Sequence, residues 1–240
     1  MFSNFCFQRG LFKEKLHAVT RKDPLGILRG IKNICTPKKR ILEIFFTDTK
    51  KGDASLDEMV RQLKDKFTIN VLTSDKREYY DRFIAFCIDI PLSKQLVDEY
   101  LSNGCRIFLV LDKDEIIGVT TLDFGKHALK GIIELDLIFA KNHAYSFLTY
   151  VRLDYRRKGI ATLLRFIVQE YCASQGYDGY FSLIDDWNTA NLSHHRKRGD
   201  RHYGRISVVE QFFIKRYRVK SFNNDRFWQV RLKNGKLIRI

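Results

Sequence analysis

The chain has 240 residues, of which 45% are hydrophobic and 13% aromatic, so it is long enough and apolar enough to bury a substantial core. This composition argues against sustained disorder outside the chain ends, and no apolar run approaches the ~18 residues that a membrane-spanning helix needs. Basic residues outnumber acidic ones by 43 to 28, and the segment 186–240 holds 14 of the basic and 4 of the acidic residues. That segment is predicted to face an acidic partner or solvent.

The cysteines and the N-terminus bear on the cellular compartment. Five cysteines are scattered without a CxxC pair, which is poor evidence for a disulfide framework or a zinc site and predicts core thiols in a reducing environment. The first residues lack the compact apolar region and the cleavage site of a secretory signal, so a cytoplasmic location is expected. The cysteines are Cys6, Cys35, Cys87, Cys105 and Cys172.

The first part of the chain predicts mixed α and β structure. RILEIFF, residues 40–46, predicts a strand, and apolar residues at helical spacing predict an amphipathic helix from Leu56 to Phe67. TINVLTS, which starts at Thr68, has alternating apolar positions and predicts a strand. Two helices are predicted next, at about 79–87 and 92–100.

The middle of the chain changes to the period of strands. RIFLVL (106–111) and IIGVTTLDF (116–124) predict a hairpin around the polar turn DKDE. Two further strands are predicted at 132–139 and 146–153. This part of the chain is therefore expected to be an antiparallel meander.

A strand–helix–strand unit and a basic C-terminal part follow. Apolar residues from Ile160 to Cys172 recur at helical spacing, and GYFSLID (179–185) predicts a strand that is parallel to the one at 146–153. The polar basic run 187–205 is predicted to be a loop. The last predicted elements are a helix from Ile206 to Tyr217 and a β-hairpin of RVKSF and RFWQVRL over NND.

YRRKGIA, residues 155–161, places three cations directly before Gly159 at the start of the predicted helix. The helix macrodipole disfavours cations at this end, so an anionic ligand is one explanation. Backbone N–H groups at a helix N-terminus lack intrahelical acceptors and suit a diphosphate, and a glycine permits its close approach. A solvated basic helix start is the alternative that the loop alone leaves open.

The run VRLDYRRKGIA resembles the Q/R-x-x-G-x-G/A signature of the GNAT superfamily of acyl-CoA-dependent N-acyltransferases. Arg156, Gly159 and Ala161 occupy its three defining positions, while Leu153 replaces the usual proline. The resemblance implies the GNAT-like acyl-CoA N-acyltransferase fold, an α/β fold with a mixed sheet.

The resemblance implies a division of the chain. Residues 67–240 are expected to form the GNAT-like domain, and residues 1–66 an N-terminal α/β extension packed on this core. The extension is expected either to shape the acceptor site or to mediate contacts in a homodimer, and the sequence leaves both open.

The resemblance also implies how acetyl-CoA binds. The backbone at the helix start holds the pyrophosphate, the strand before it pairs through main-chain groups with the pantetheine arm, and an asparagine after the next strand reaches the pantetheine or the acceptor. The implied coenzyme-binding residues are Thr149, Tyr150, Val151, Arg156, Arg157, Lys158, Gly159, Ile160, Ala161 and Asn188.

The implied reaction is transfer of an acetyl group from acetyl-CoA to a primary amine by direct attack, which needs a base for the amine and an acid for the departing thiolate. In the last helix the family often shows Tyr-x-x-x-Gly-Phe, with the tyrosine as the acid. The nearest match here, FFIKRYR, has Phe213 at the tyrosine position, so Tyr217 or Tyr203 has to substitute.

Glu134 and Asp136 are the first candidates for the base, because alternation places both on one face of the predicted strand, where paired carboxylates raise one pKa. A solvated strand face is the alternative explanation. Asp185 and Asp186, after the next predicted strand, are further candidates.

The remaining pattern is a cluster of His194, His195 and His202 in the basic run. The cationic surroundings and the lack of a nearby cysteine disfavour a divalent ion, so no metal site is predicted. Residues 193–205 are predicted either to follow a nucleic-acid backbone or to be a solvated loop.

Two functions remain open. One is an acetyltransferase whose acceptor amine is on an acidic or nucleic-acid-bound carrier. The other is a catalytically degenerate module that binds acyl-CoA or nucleic acid without turnover.

Overall fold

The structure is a computed structural model that describes residues 38–49, 54–90, 92–124, 126–129, 135–139, 142–211, 214–222, 228–232 and 237–238. None of the helices in these segments is long and apolar enough to cross a membrane. The helices are α1 (Ala54–Lys66), α2 (Tyr80–Phe86), α3 (Lys94–Ser102), α4 (Ile160–Ser174) and α5 (Thr189–Lys197). The strands are β1 (Lys38–Asp48), β2 (Thr68–Leu72), β3 (Arg106–Asp112), β4 (Glu115–Phe124), β5 (Lys126–Leu129), β6 (Leu135–Phe139), β7 (His143–Ser146), β8 (Thr149–Val151), β9 (Gly179–Asp185), β10 (Arg201–Gln211), β11 (Ile214–Ser221), β12 (Trp228–Leu232) and β13 (Leu237–Ile238).

The main sheet is mixed. Its strand order is β11-β10-β1-β9-β7-β4-β3-β2, and β8 also pairs with β4. β7 and β9 are parallel, as the strand–helix–strand unit predicts, and the other described pairs of this sheet are antiparallel. A second sheet has the order β13-β12-β6-β5 and contains the described part of the strand predicted at 132–139.

Helices pack on both faces of the main sheet, and the alternation of side chains along β3 shows how. Phe108 and Val110 belong to the core under α4, whereas Ile107 and Leu109 belong to the core under α2 and α3. Because β3 is buried on both faces, its sequence is apolar at consecutive positions. The predicted apolar stripe of α4 is buried against the sheet at Ile160, Leu163, Leu164, Ile167, Val168 and Cys172.

Strand β1 confirms the prediction from RILEIFF and lies between β9 and β10. Leu42 is opposite Asp185 on one side and Ile206 on the other. The guanidinium of Arg40 donates two hydrogen bonds, of 2.5 and 2.7 Å, to the Asp185 carboxylate. A strand from the N-terminal part of the chain is thus joined to the sheet by backbone and ionic contacts. The domain boundary at residue 66 stays a prediction.

The helix predicted from Ile206 to Tyr217 is wrong. Its described residues, 206–211 and 214–217, lie in β10 and β11, which pair with Val208 opposite Tyr217, and Phe213 lies outside the described residues. Ile206 and Val208 are buried in one core, and Tyr217 and Val219 pack against it, so the apolar positions have a period of two. Burial on one sheet face therefore decides the structure of this segment, and the apparent helical spacing does not.

Three other predictions need correction. RVKSF and RFWQVRL do not pair with each other, because β11 pairs with β10 and β12 pairs with β6. The predicted loop 187–205 contains α5 and the start of β10. Of the strand predicted at 146–153, only Ser146 lies in β7, the parallel partner of β9, and residues 149–151 form β8, which pairs with β4.

The described cysteines confirm the prediction of core thiols. Cys87, Cys105 and Cys172 are free and buried, while Cys6 and Cys35 lie outside the described residues. Burial raises the pKa of Cys87 to about 11 and the pKa of Cys172 to about 12, so both thiols stay protonated at neutral pH.

We expect Gly118 on β4 to set how closely the start of α4 approaches the sheet. A Cβ at this position lies 2.8 Å from Ile160 Cγ2 and 3.2 Å from Leu164 Cδ1. Gly118→Ala should therefore lower the free energy of unfolding by about 1–3 kcal/mol. In an Ile160→Ala background, which removes the nearest atom, the same change should cost less. Urea unfolding of the four proteins measures this, and strictly additive costs would contradict the contact.

Candidate active site

The site begins where the strand pairing is interrupted between β7 and β8. Both strands pair with β4: Tyr145 lies opposite Asp123, and Val151 lies opposite Gly118. On this side β9 pairs with β7, over residues 143–146, and not with β8. No described strand therefore lies between β8 and residues 183–185 of β9. We call this gap, bounded by β8 and residues 183–185, the wedge.

Backbone directions in β8 decide which groups face the wedge. Thr121 N donates to Leu148 O at 3.0 Å, and Arg152 N donates to Ile117 O at 2.9 Å. Backbone groups in an antiparallel pair point alternately toward and away from the partner, so Tyr150 also directs its N–H and C=O to β4. Thr149 and Val151 direct theirs into the wedge.

The turn before α4 presents backbone donors. Arg157 has a φ of +63° and Gly159 a φ of +84°, so two residues of the turn have left-handed backbone conformations. Such a conformation costs a non-glycine residue about 1 kcal/mol or more, and it aims successive N–H groups in one direction. The first bond of α4 runs from Leu163 N to Gly159 O at 2.9 Å. Within the described residues, the N–H groups of 157–162 donate no hydrogen bond.

The cations of this turn lack carboxylate partners among the described residues. Arg156, Arg157 and Lys158 are exposed, and none of them forms an ion pair there. Arg156 Nε instead donates to Val151 O at 3.2 Å. Arg152, by contrast, contacts the carboxylates of both Glu115 and Asp154. The turn therefore combines uncompensated positive charge with unused N–H donors, which is the arrangement that binds phosphate groups.

Helix α1 supports the turn from behind. A Cβ on Gly159 lies 2.8 Å from Leu63 Cδ1 and 3.8 Å from Met59 Sδ. Any side chain at Gly159 therefore changes both the backbone conformation and the packing on α1. Ile160 is buried, whereas Ala161 is exposed on the first turn of α4.

Asn188 has a structural role at the start of α5. Its side-chain oxygen accepts a hydrogen bond from Asn191 N at 3.2 Å, and its own N–H donates to Asp185 O at 2.9 Å. The side-chain amide NH₂ is not used in these contacts. Asn188 follows β9 directly and is thus close to the end of the wedge.

The three described candidates for acid and base, Asp136, Tyr203 and Tyr217, lie on three different strands. Glu134 lies outside the described residues, and Asp136 is on β6 in the second sheet. Tyr203 is fully buried, with its ring 5.5 Å from that of Phe181, and Tyr217 is on β11 at the far edge of the main sheet. Their catalytic roles stay predictions.

A buried ionic network connects α4 with the residues that follow α5. Arg165 donates two hydrogen bonds to the Asp200 carboxylate, one of them 2.6 Å from Nη1 to Oδ2. His195 Nδ1 lies 2.6 Å from Asp200 Oδ2. This network was not predicted, because Arg165 belongs to the predicted helix whereas His195 and Asp200 belong to the run 187–205 that was predicted to be a loop. The available signal was Asp200, an acidic residue alone in a basic run.

Protonation in this network follows from burial and from pairing. Burial opposes ionisation of Asp200, but the hydrogen bonds from His195 and Arg165 outweigh it and lower the pKa of Asp200 to about 2. Burial lowers the pKa of His195 despite its bond to Asp200, and burial with nearby arginines lowers the pKa of His194 to about 4. Both imidazoles are therefore neutral at pH 7. In the described segments, no three His, Cys, Asp or Glu side chains are arranged to hold a metal ion.

Comparisons with known proteins agree with this architecture. The model of the acetyltransferase (GNAT) family matches residues 57–199, more than half of the chain. This match confirms the resemblance and, with the mixed sheet, the predicted α/β fold class. No curated protein matches the chain significantly.

Solved structures resemble the chain at low sequence identity. An aminoglycoside acetyltransferase from an uncultured soil metagenomic sample is 17% identical, with 57% of this chain and 89% of that chain covered and a TM-score of 0.42. Aminoglycoside N-acetyltransferase AAC(6')-Iy, solved with CoA, is 17% identical over 56% of this chain and 92% of that chain, with a TM-score of 0.42. A GNAT-family acetyltransferase from Staphylococcus aureus Mu50 is 18% identical over 69% and 99%, with a TM-score of 0.41.

We expect Asp200→Asn to destabilise the protein by about 3–5 kcal/mol at pH 7, because it leaves the buried Arg165 without its counter-charge. Because folding lowers the pKa of Asp200, its ionised carboxylate stabilises the fold fully at pH values above its ordinary pKa of 3.8. This stabilisation is lost as the pH falls toward about 2. The stability difference between wild type and variant should therefore shrink over that range. Urea unfolding at several pH values measures it, with the exposed Asp65→Asn as the control that stays within about 0.5 kcal/mol.

Proposed function

Because the chain belongs to the GNAT family of acetyltransferases, we propose that it transfers an acetyl group from acetyl-CoA to a primary amine. The observation that carries this proposal is a helix N-terminus with unused N–H donors directly beside the open edge of β8, inside the segment that the family model matches. Acetyl-CoA supplies the acyl group as a thioester. The acceptor's identity is not part of the proposal.

The turn before α4 fits the diphosphate of the coenzyme. Its N–H groups at 157–162 lack acceptors in the described part of the chain, and Arg157 and Lys158 add two positive charges without ion-pair partners there. Gly159 permits the left-handed conformation of this turn and its close packing on Leu63 of α1. We assign the pyrophosphate to this turn, with Arg156 at its edge.

The wedge fits the amide-rich arm of the coenzyme. Thr149 and Val151 direct main-chain donors and acceptors into it, so an extended arm gains strand-like hydrogen bonds there. Tyr150 contributes its ring, which lies 5.7 Å from that of Phe86, while its backbone pairs with β4. The side-chain amide of Asn188 is the polar group proposed for the far end of the wedge.

The acid pattern implied by the family has a better match in α5 than in FFIKRYR. The matched segment ends at Gly199, two residues after α5. Placing Gly199 at the glycine of Tyr-x-x-x-Gly-Phe puts His195 at the tyrosine position and Asp200 at the phenylalanine position. We propose that His195 transfers protons in the reaction. Asp200 holds Nδ1, which leaves the lone pair of neutral Nε2 to accept a proton from the amine and to return one to the thiolate.

The other candidates remain proposals. Glu134 and Asp136 are alternative bases, and Tyr203 and Tyr217 are alternative acids. A cytoplasmic location and a dimer formed through the N-terminal part likewise stay predictions.

The diphosphate assignment predicts a selective loss of affinity. Arg157→Asn with Lys158→Gln should weaken binding of CoA by about tenfold or more per charge, because charge-assisted hydrogen bonds are lost, while asparagine tolerates the left-handed backbone. Binding of pantetheine, which has no diphosphate, should not change. Calorimetry measures both ligands, with Lys76→Gln and Lys94→Gln as a charge-matched control. Equal losses for CoA and pantetheine would place the diphosphate elsewhere.

Catalysis is tested by release of thiol from acetyl-CoA with a panel of amines: a small amine, a protein N-terminus, a lysine peptide, an aminoacyl-tRNA and an amino sugar. We expect turnover with one of these classes, and His195→Gln should lower kcat about 100-fold or more with little change in KM for acetyl-CoA. Tyr217→Phe should remain close to wild type, and the reverse result would return the role to the tyrosine. Binding of CoA without thiol release from any amine would favour the degenerate module.

A further inference from the structure

A basic groove crosses one face of β1, β10 and β11. It has a volume of about 280 Å³ and is lined by Lys39, Ile41, Arg205, Ser207, Arg218 and Lys220. We call these residues and the adjoining Arg216 and Phe222 the basic groove. Strand pairing brings them together, because Ser207 lies opposite both Ile41 and Arg218.

The cations of β11 form a straight row. Arg216, Arg218 and Lys220 are at alternate positions, so they project from the same face about 6.8 Å apart. Phe222 follows directly after the strand, and its ring lies 4.8 Å from that of His202. Phe222 is 40% exposed, and Lys220 Nζ lies 5.2 Å from the centre of its ring. The row therefore ends in an accessible aromatic side chain.

The positive charge of the groove is largely uncompensated. Lys39, Arg216, Arg218 and Lys220 are exposed and form no ion pair with any residue that the structure describes. Arg205 differs, because its Nε donates a hydrogen bond of 2.8 Å to the carboxylate of buried Glu43. The hydrogen bond to Glu43, with Asp186 nearby, raises the pKa of Arg205. The other four cations of the groove have no ion-pair partner among the described residues.

The groove lies at the same end of the main sheet as the wedge. Leu42, next to Ile41, is level with Asp185 at the end of β9. Three strand spacings, about 14 Å, separate β9 from β11. Side chains alternate along β1, so Lys39 and Ile41 lie on the same face of the sheet as Phe45, which packs against Leu192 of α5. The basic groove is therefore on the face of the sheet that α5 covers.

The lining favours a polyanion over a folded protein partner. Ile41 is its one apolar member inside the groove, whereas the cores of protein interfaces are apolar and depleted of charge. Arginine forks suit phosphate oxygens, and cations spaced about 6.8 Å apart with an aromatic ring at the end suit consecutive phosphates of an extended strand and a stacked base.

We propose that the basic groove binds the backbone of a single-stranded nucleic acid, with phosphates along Arg216, Arg218 and Lys220 and a base on Phe222. This binding is independent of the acetyl transfer proposed above. It uses residues outside the turn before α4 and outside the wedge.

Fluorescence anisotropy with a labelled single-stranded RNA of about 20 nucleotides, between about 50 and 200 mM salt, tests the proposal. Four uncompensated cations predict a slope of log affinity against log salt of about −3, and Arg216→Gln, Arg218→Gln and Lys220→Gln together should reduce it to about −1. The control Arg61→Gln, Lys76→Gln and Lys94→Gln removes the same charge elsewhere and should keep the wild-type slope. Phe222→Ala should weaken binding about tenfold without changing the slope.

Two results would contradict the proposal. An equal loss in the control variant would mean that net charge, and not the groove, binds the RNA. Tighter binding of polyglutamate than of RNA would assign the groove to acidic proteins and overturn the proposal. The binding of CoA to the groove variant, measured by calorimetry, should equal that of wild type and shows that the fold is intact.

Discussion

Backbone pairing by β4 is the constraint on which the proposed site depends. Both β7 and β8 pair with β4, so both stay in the sheet although the strand is interrupted between them. β9 follows only the first half of this interrupted strand. Thr149 and Val151 are left with main-chain groups directed into the wedge, where an extended ligand can complete the pairing. An open edge that elsewhere invites aggregation is here confined between two strands.

Ion pairing divides the large positive charge into two classes. Arg40, Arg152 and Arg165 each contact a carboxylate and connect elements that are distant in sequence or stabilise a turn. Asp200, which pairs with buried Arg165, also contacts Nδ1 of His195, so the contact that joins α4 to the end of α5 holds the imidazole that we propose for proton transfer. Arg156, Arg157 and Lys158 before α4, and Arg216, Arg218 and Lys220 along β11, form no ion pair with a described residue. Both places present their charge to solvent at the same end of the main sheet.

Local patterns were predicted well where one element decides its own structure. The stripe of α4, the hairpin of β3 and β4, and the strand β1 follow from periodicity and turn residues alone. The segment 206–217 was misread because apolar residues at both spacings occur there, and only its pairing with β1 shows which period is buried. The α5 helix was missed because its polar sequence carries no apolar stripe.

The sequence by itself determined the turn at 155–161, because cations, a glycine and a following helix are neighbours along the chain, and the direction of N–H groups at a helix start is a local property. Only the tertiary structure decided the wedge, the Asp200 network and the basic groove. These join residues far apart in sequence, such as Arg165 with Asp200 or Ile41 with Ser207. Which strand pairs with which, and therefore which charge meets which partner, depends on long-range burial that periodicity does not encode.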